Sequence, residues 1–188
     1  MKKDLIENKT INIKILKLTN AGLGMGKYQN KSVLVHRGLP GDTAEVRLKR
    51  TGAKYCSAEI VKIISPSPDR INPLCAAFEK GCGGCQLLHL DYKKQLFWKH
   101  KNLMDTLKNC MGVNIKIPPL IGMKNPEHFR NKLSLTVDGN GFYGFSKEFS
   151  VEKVDIKGCR MELDTANMVY DVLQKFKPPR FIEQIHIR

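Results

Sequence analysis

Apolar and polar positions alternate along most of the first third of the chain. In "TINIKILKLT" Ile11, Ile13 and Ile15 recur at every second position, followed by Leu16 and Leu18. "KSVLVHR" is a second short strand, and "TAEVRLKR" puts Ala44, Val46 and Leu48 on one face. "YCSAEIVKII" closes the series before "SPSPDR". Period-two patterning marks strands with one buried face. Short strands joined by turns such as "GLPGD" predict a small antiparallel barrel over residues 8–65.

"SPSPDRINPLC" carries Pro66, Pro68 and Pro73. Proline removes a backbone donor and resists both helix and central strand, so residues 66–74 are expected to form a linker. A second domain is then expected over residues 75–188. "DYKKQLFWKHKNLMDTLKNCMG" predicts a helix with Asp91 as N-cap and Gly112 as stop. Its apolar stripe is Leu96, Phe97, Leu103, Met104 and Leu107, and lysines fill the opposite face. From residue 128 strands return. "DGNG" predicts a hairpin turn, "SVEKVDIKGC" a further strand, and "LDTANMVYDVLQKF" a helix capped by Asp164. "RFIEQIHIR" is read as a terminal strand without a partner.

Charge changes the picture. The 188 residues carry a net +14. Between Lys9 and Ile64 eleven Lys/Arg stand against three Asp/Glu, so a net +8 of that excess sits in the expected barrel. Such a surplus points to a polyanionic partner, and a basic β-barrel is a common holder of single-stranded or looped RNA. Gly22, Gly24 and Gly26 spell G-x-G-x-G, but no helix pattern follows, so a nucleotide loop is excluded in favour of a glycine-rich strand connection. No apolar run approaches the length of a membrane span, and no leader-like apolar segment is seen; a cytoplasmic location is expected.

Cysteines supply the candidate chemistry. Cys75, Cys82 and Cys85 lie within eleven residues, spaced Cys-x6-Cys-x2-Cys. In a reducing compartment clustered cysteines read as metal ligands. Three thiolates leave a site incomplete. Cys56 reads as a core residue, and Cys110 ends a helix whose dipole disfavours a thiolate. Cys159, after Gly158, is the best fourth ligand, with His89 nearby to orient the site. Spacing leaves zinc and an iron–sulfur cluster both open, the asymmetric spacing fitting ferredoxin-type ligation better.

The ordered set "LTNAGLGMGK", "GLPGDTAEVRLKR", "SPSPDRINPLC", "CGGCQLLHLDYKKQL", "FRNKLSL", "GFYGFS" and "VDIKGCRM" resembles the TRAM-domain RNA uracil-C5 methyltransferases, the 23S ribosomal RNA m5U type in particular. The resemblance implies a small all-β OB-like (TRAM) barrel, followed by an α+β iron–sulfur domain holding a 4Fe–4S cluster on Cys75, Cys82, Cys85 and Cys159. It implies ribosomal RNA as partner. Lys27, Arg37, Lys49, Arg50 and Lys54 of the barrel, with Phe129, Arg130, Asn131 and Lys132, are the expected RNA contacts. In that family a Rossmann-like domain binds S-adenosylmethionine and carries the catalytic residues. No such domain is read in this chain, which is expected to be inactive alone. The alternative expectation is a stand-alone RNA-binding module stabilised by zinc or a cluster.

Overall fold

A computed structural model of the chain describes residues 8–52, 55–112, 116–154, 156, 158–179 and 181–188. It divides into two compact units, one of residues 1–72 with 86–122 and one of residues 73–85 with 123–188.

In the first unit β1 (Thr10–Leu18), β2 (Gly24–Tyr28), β3 (Lys31–His36), β4 (Thr43–Thr51) and β5 (Tyr55–Ser65) close into a barrel of order β1-β2-β3-β5-β4. The alternation explains the closure. Ile11, Ile13, Ile15, Val33, Val35, Ala44, Val46, Leu48, Cys56 and Ala58 all face inward and form one core. The barrel is not wholly antiparallel as expected, because β3 pairs with β5 in parallel register, Ser32 beside Tyr55 through His36 beside Glu59. A parallel pair needs a crossover, and here the crossover is β4 itself. The glycine motif lies in β2 and the turn before it. A side chain at Gly26 would stand 2.5 Å from the Lys14 carbonyl oxygen, so only glycine lets β1 and β2 approach there.

The expected linker packs as part of this unit. Buried Asp42 accepts from the backbone N–H of Leu39 at 2.7 Å and of Ser67 at 2.8 Å. It also accepts from Arg70 Nε at 3.2 Å and from Arg70 Nη2, while Arg70 Nη2 donates to the Arg37 carbonyl at 3.0 Å. The proline-rich stretch is thus tied down through Arg70, and the division falls after Asn72. The helix α2 (Tyr92–Met111) also belongs to this unit and not to the second as expected. Its ends follow the sequence: the Asp91 carboxylate accepts from Lys94 N–H, and Gly112 closes it in the left-handed conformation. Its apolar stripe is only partly covered. Phe97 and Leu103 are exposed, whereas Trp98 packs with Leu18, Leu39, Leu87 and Leu90.

The second unit opens with the single helical turn α1 (Ala76–Glu79). Its sheet has the order β8-β7-β6-β9, built from β6 (Leu133–Val137), β7 (Tyr143–Ser146), β8 (Lys153–Val154) and β9 (Gln184–Ile187). The β6–β7 turn is held by Asp138, whose Oδ1 accepts from the N–H of Asn140 and of Phe142, both at 2.9 Å. The terminal strand has a partner after all, since β9 pairs antiparallel with β6, Leu133 opposite Ile187. α3 (Asp164–Leu173) buries Ala166 and Tyr170 in the core formed by Leu133, Leu135, Tyr143, Val154, Ile156 and Ile187. Leu163, not Asp164, is the N-cap.

The iron–sulfur fold class expected for this unit is corrected. An apolar core under an antiparallel sheet organises it. Among the described residues no three His, Cys, Asp or Glu side chains are placed to hold a metal ion.

Candidate functional site

Two groups of sequence-predicted residues lie in different units. On the barrel, Lys27, Lys49 and Arg50 are exposed. Lys49 pairs with Glu59 at 2.9 Å. Lys54 lies outside the described residues. Arg37 is half-buried beside His89. Lys9 Nζ stands 6.0 Å from the centre of the Tyr28 ring, a cation–π distance. Tyr55, which the sequence reading passed over, is 58% exposed at the start of β5.

His89 lies in the first unit, 3% exposed, and burial pushes its pKa down to about 4, with Arg70 and Arg37 adding to the fall. The ring is neutral at pH 7.

The four predicted ligands share the second unit. Cys75 is the N-cap of α1, its carbonyl accepting from Phe78 N–H at 3.1 Å. Gly81, at φ +94°, turns the chain into the cysteine loop. Cys82 is buried and its Sγ accepts from Gly84 N–H at 3.4 Å. Gly83 donates to the Ser146 carbonyl at 3.0 Å, which fixes the loop against β7. Cys159 is held by α3: its N–H donates to Asn167 Oδ1 at 2.8 Å, and Asn167 Nδ2 donates to its carbonyl at 3.0 Å. Cys56 is a buried residue of the barrel core, and Cys110 is exposed at the end of α2.

Electrostatics show that the four thiols share one neighbourhood. Burial pushes Cys85 up to about 11; Arg130 opposes the rise, and Cys159, Cys82 and Cys75 add to it. Burial raises Cys159 as well, again against Arg130. Arg130, expected to touch RNA, donates to the Gly84 carbonyl at 3.1 Å inside the cysteine loop. Its neighbours Phe129, Asn131 and Lys132 are exposed. Arg160, next to Cys159 in the chain, is bound through Nη2 to both carboxylate oxygens of Glu127, at 2.8 and 2.6 Å.

Comparison with known proteins places this geometry. Residues 5–61 match the TRAM domain. The chain is 32% identical over 181 residues to an uncharacterized RNA methyltransferase of Clostridium tetani, covering 94% of this chain and 39% of that protein. It is 31% identical over 183 residues to one of Bacillus cereus, covering 95% and 39%. A solved structure, the Pyrococcus abyssi tRNA (uracil-54, C5)-methyltransferase in complex with S-adenosyl-L-homocysteine, matches 87% of this chain and 36% of its own, with TM-score 0.59 and 26% identity. The chain is homologous to RNA methyltransferases and carries a TRAM domain, and it spans about two-fifths of the length of the curated relatives it matches. The sequence-based exclusion of a methyltransferase domain is corrected by these matches, which run across nearly the whole chain. No helix among the described residues is long and apolar enough to cross a membrane.

Proposed function

We propose that the chain holds RNA for S-adenosylmethionine-dependent methylation at uracil C5. One observation carries the reading: a closed barrel with outward Lys27, Lys49 and Arg50 lies in the segment that matches the TRAM domain. Cationic side chains on a rigid barrel meet phosphates, and the neighbour solved with S-adenosyl-L-homocysteine supports the methyl donor. Ribosomal RNA is the proposed substrate, as the ordered motifs imply, and a cytoplasmic location accords with it. The test measures binding of ribosomal and transfer RNA transcripts across salt, then transfer of labelled methyl groups by the protein as it occurs naturally. Steep loss of affinity with salt and label on uracil C5 of ribosomal RNA support the reading. Label on transfer RNA alone overturns the ribosomal substrate, and absence of RNA binding overturns the whole.

The four cysteines are proposed as a thiolate site for a 4Fe–4S cluster. The donor set fits: four thiols in one neighbourhood, the Arg130 cation beside them, and the Gly84 amide aimed at Cys82 Sγ. Iron and acid-labile sulfide in equal amounts after anaerobic purification, both lost in Cys159→Ser, are expected. Zinc without sulfide would overturn the cluster.

A further inference from the structure

The barrel's outward side chains can be placed by register. Cys56 and Ala58 face the core, so Tyr55 and Ser57 face out. Lys27 pairs with Ser32, and Ser32 pairs with Tyr55. One row across three strands therefore reads Lys27, Ser32, Tyr55. The next row reads Met25, Leu34, Ser57, Arg50, each paired with its neighbour. Strands lie about 4.8 Å apart, so Lys27 and Tyr55 are about 10 Å apart across the row.

This face has an unusual make-up for the outside of a barrel. Met25 and Leu34 point outward and are only half-buried, and they lie one row from a tyrosine that is 58% exposed. Ser32, between the tyrosine and the lysine, is too small to cover either. Lys27 and Arg50 flank the apolar strip from its two sides. An aromatic ring on an apolar strip with cations at its margins matches a nucleobase attached to phosphates. It does not match a duplex, whose bases are stacked on each other and closed to side chains.

We infer that this face binds single-stranded RNA, with an unpaired base stacked on Tyr55 and the flanking phosphates held by Lys27 and Arg50. The inference rests on the RNA reading above and goes further, naming the strandedness of the ligand and the residue that recognises it. Tyr55 serves through the face of its ring; its hydroxyl is dispensable.

The test is fluorescence anisotropy of the whole chain with a labelled 12-nucleotide RNA, as a single strand and as a duplex. Tyr55→Ala is expected to weaken single-strand binding about tenfold, whereas Tyr55→Phe binds as wild type does. Lys27→Ala is expected to reduce the slope of log affinity against log salt by about 0.7, one phosphate contact on a single strand. Circular dichroism of each variant establishes that the barrel is intact; Tyr55 is outside the core, so folding is expected to survive. Unchanged affinity in Tyr55→Ala, or a duplex bound as tightly as the single strand, overturns the inference and leaves the RNA reading standing. Failure of the wild type to bind any RNA removes both.

Discussion

Arg70 reaches Asp42 through both Nε and Nη2, and Asp42 is fully buried where they meet. The pair joins the turn before β4 to the chain just after β5. Asp42 also accepts from Leu39 and Ser67, so one carboxylate satisfies two backbone donors and one guanidinium. Removing one partner of a buried pair strands the other charge. Arg70→Leu is expected to destabilise the first unit by about 3–5 kcal/mol in urea unfolding. A double variant, Asp42→Asn with Arg70→Leu, should recover part of the loss, because no lone charge is left buried.

His89 gives this region a pH dependence. Its folded pKa of about 4 lies below the unfolded value near 6.5, because burial first, then Arg70 and Arg37, disfavour the imidazolium. The unfolded chain binds more protons in that interval. Stability is therefore complete above about pH 6.5 and falls as pH drops toward 4, by roughly 3 kcal/mol in total. Urea midpoints measured between pH 4 and 7.5 check the slope. His89→Gln should flatten it, with Asp42, Arg70 and Arg37 left to face a side chain that does not titrate.

How far the sequence could be read differs by element. Period-two alternation located β1, β4 and β5 because half of each strand faces a closed core, and the caps Asp91 and Gly112 located α2. Which unit α2 joins was not legible. That depends on Trp98 meeting Leu18 and Leu39, contacts between positions far apart in the chain. The prolines at 66, 68 and 73 read as a linker because their local effect is to break structure; the tie through Asp42 is long-range. At the cysteines, residue type and spacing singled out four thiols, and Cys85 feels the other three electrostatically. The bond from Arg130 to the Gly84 carbonyl was not legible, since a basic residue in "FRNK" carries no sign of which backbone group it meets. Asn167 was missed altogether, although a side-chain amide one turn into a helix that follows a cysteine is a signal worth heeding.

That asparagine is open to direct test. It bonds both backbone groups of Cys159, at 2.8 and 3.0 Å. Asn167→Ala leaves a half-buried N–H and carbonyl without that partner, at a cost of about 2 kcal/mol. Cys159 should then react faster with a maleimide in the reduced, metal-free protein. A reaction rate equal to wild type would show that α3 does not fix the thiol. The exposed Cys110, already open to the reagent, serves as an internal reference once its label is resolved by peptide mapping.

The glycines of β2 make a separate prediction about the barrel. A Cβ at Gly24 would lie 2.6 Å from the Gly38 carbonyl oxygen and 2.9 Å from Ile15 Cγ2. At Gly26 it would lie 2.5 Å from the Lys14 carbonyl oxygen. The closest atoms are backbone, so no rotamer change relieves the clash, and β2 must move away from its neighbour. Gly26→Ala is expected to cost about 1–3 kcal/mol, the range for forcing extra atoms into a packed core. Gly139 lies in the β6–β7 turn with open space around it, so Gly139→Ala should change stability by less than about 0.5 kcal/mol. Thermal melts of the two variants side by side decide the matter. Equal melting temperatures would mean that the barrel tolerates a side chain where β1 and β2 meet, and that glycine in β2 is held for another reason, such as the approach of an RNA backbone.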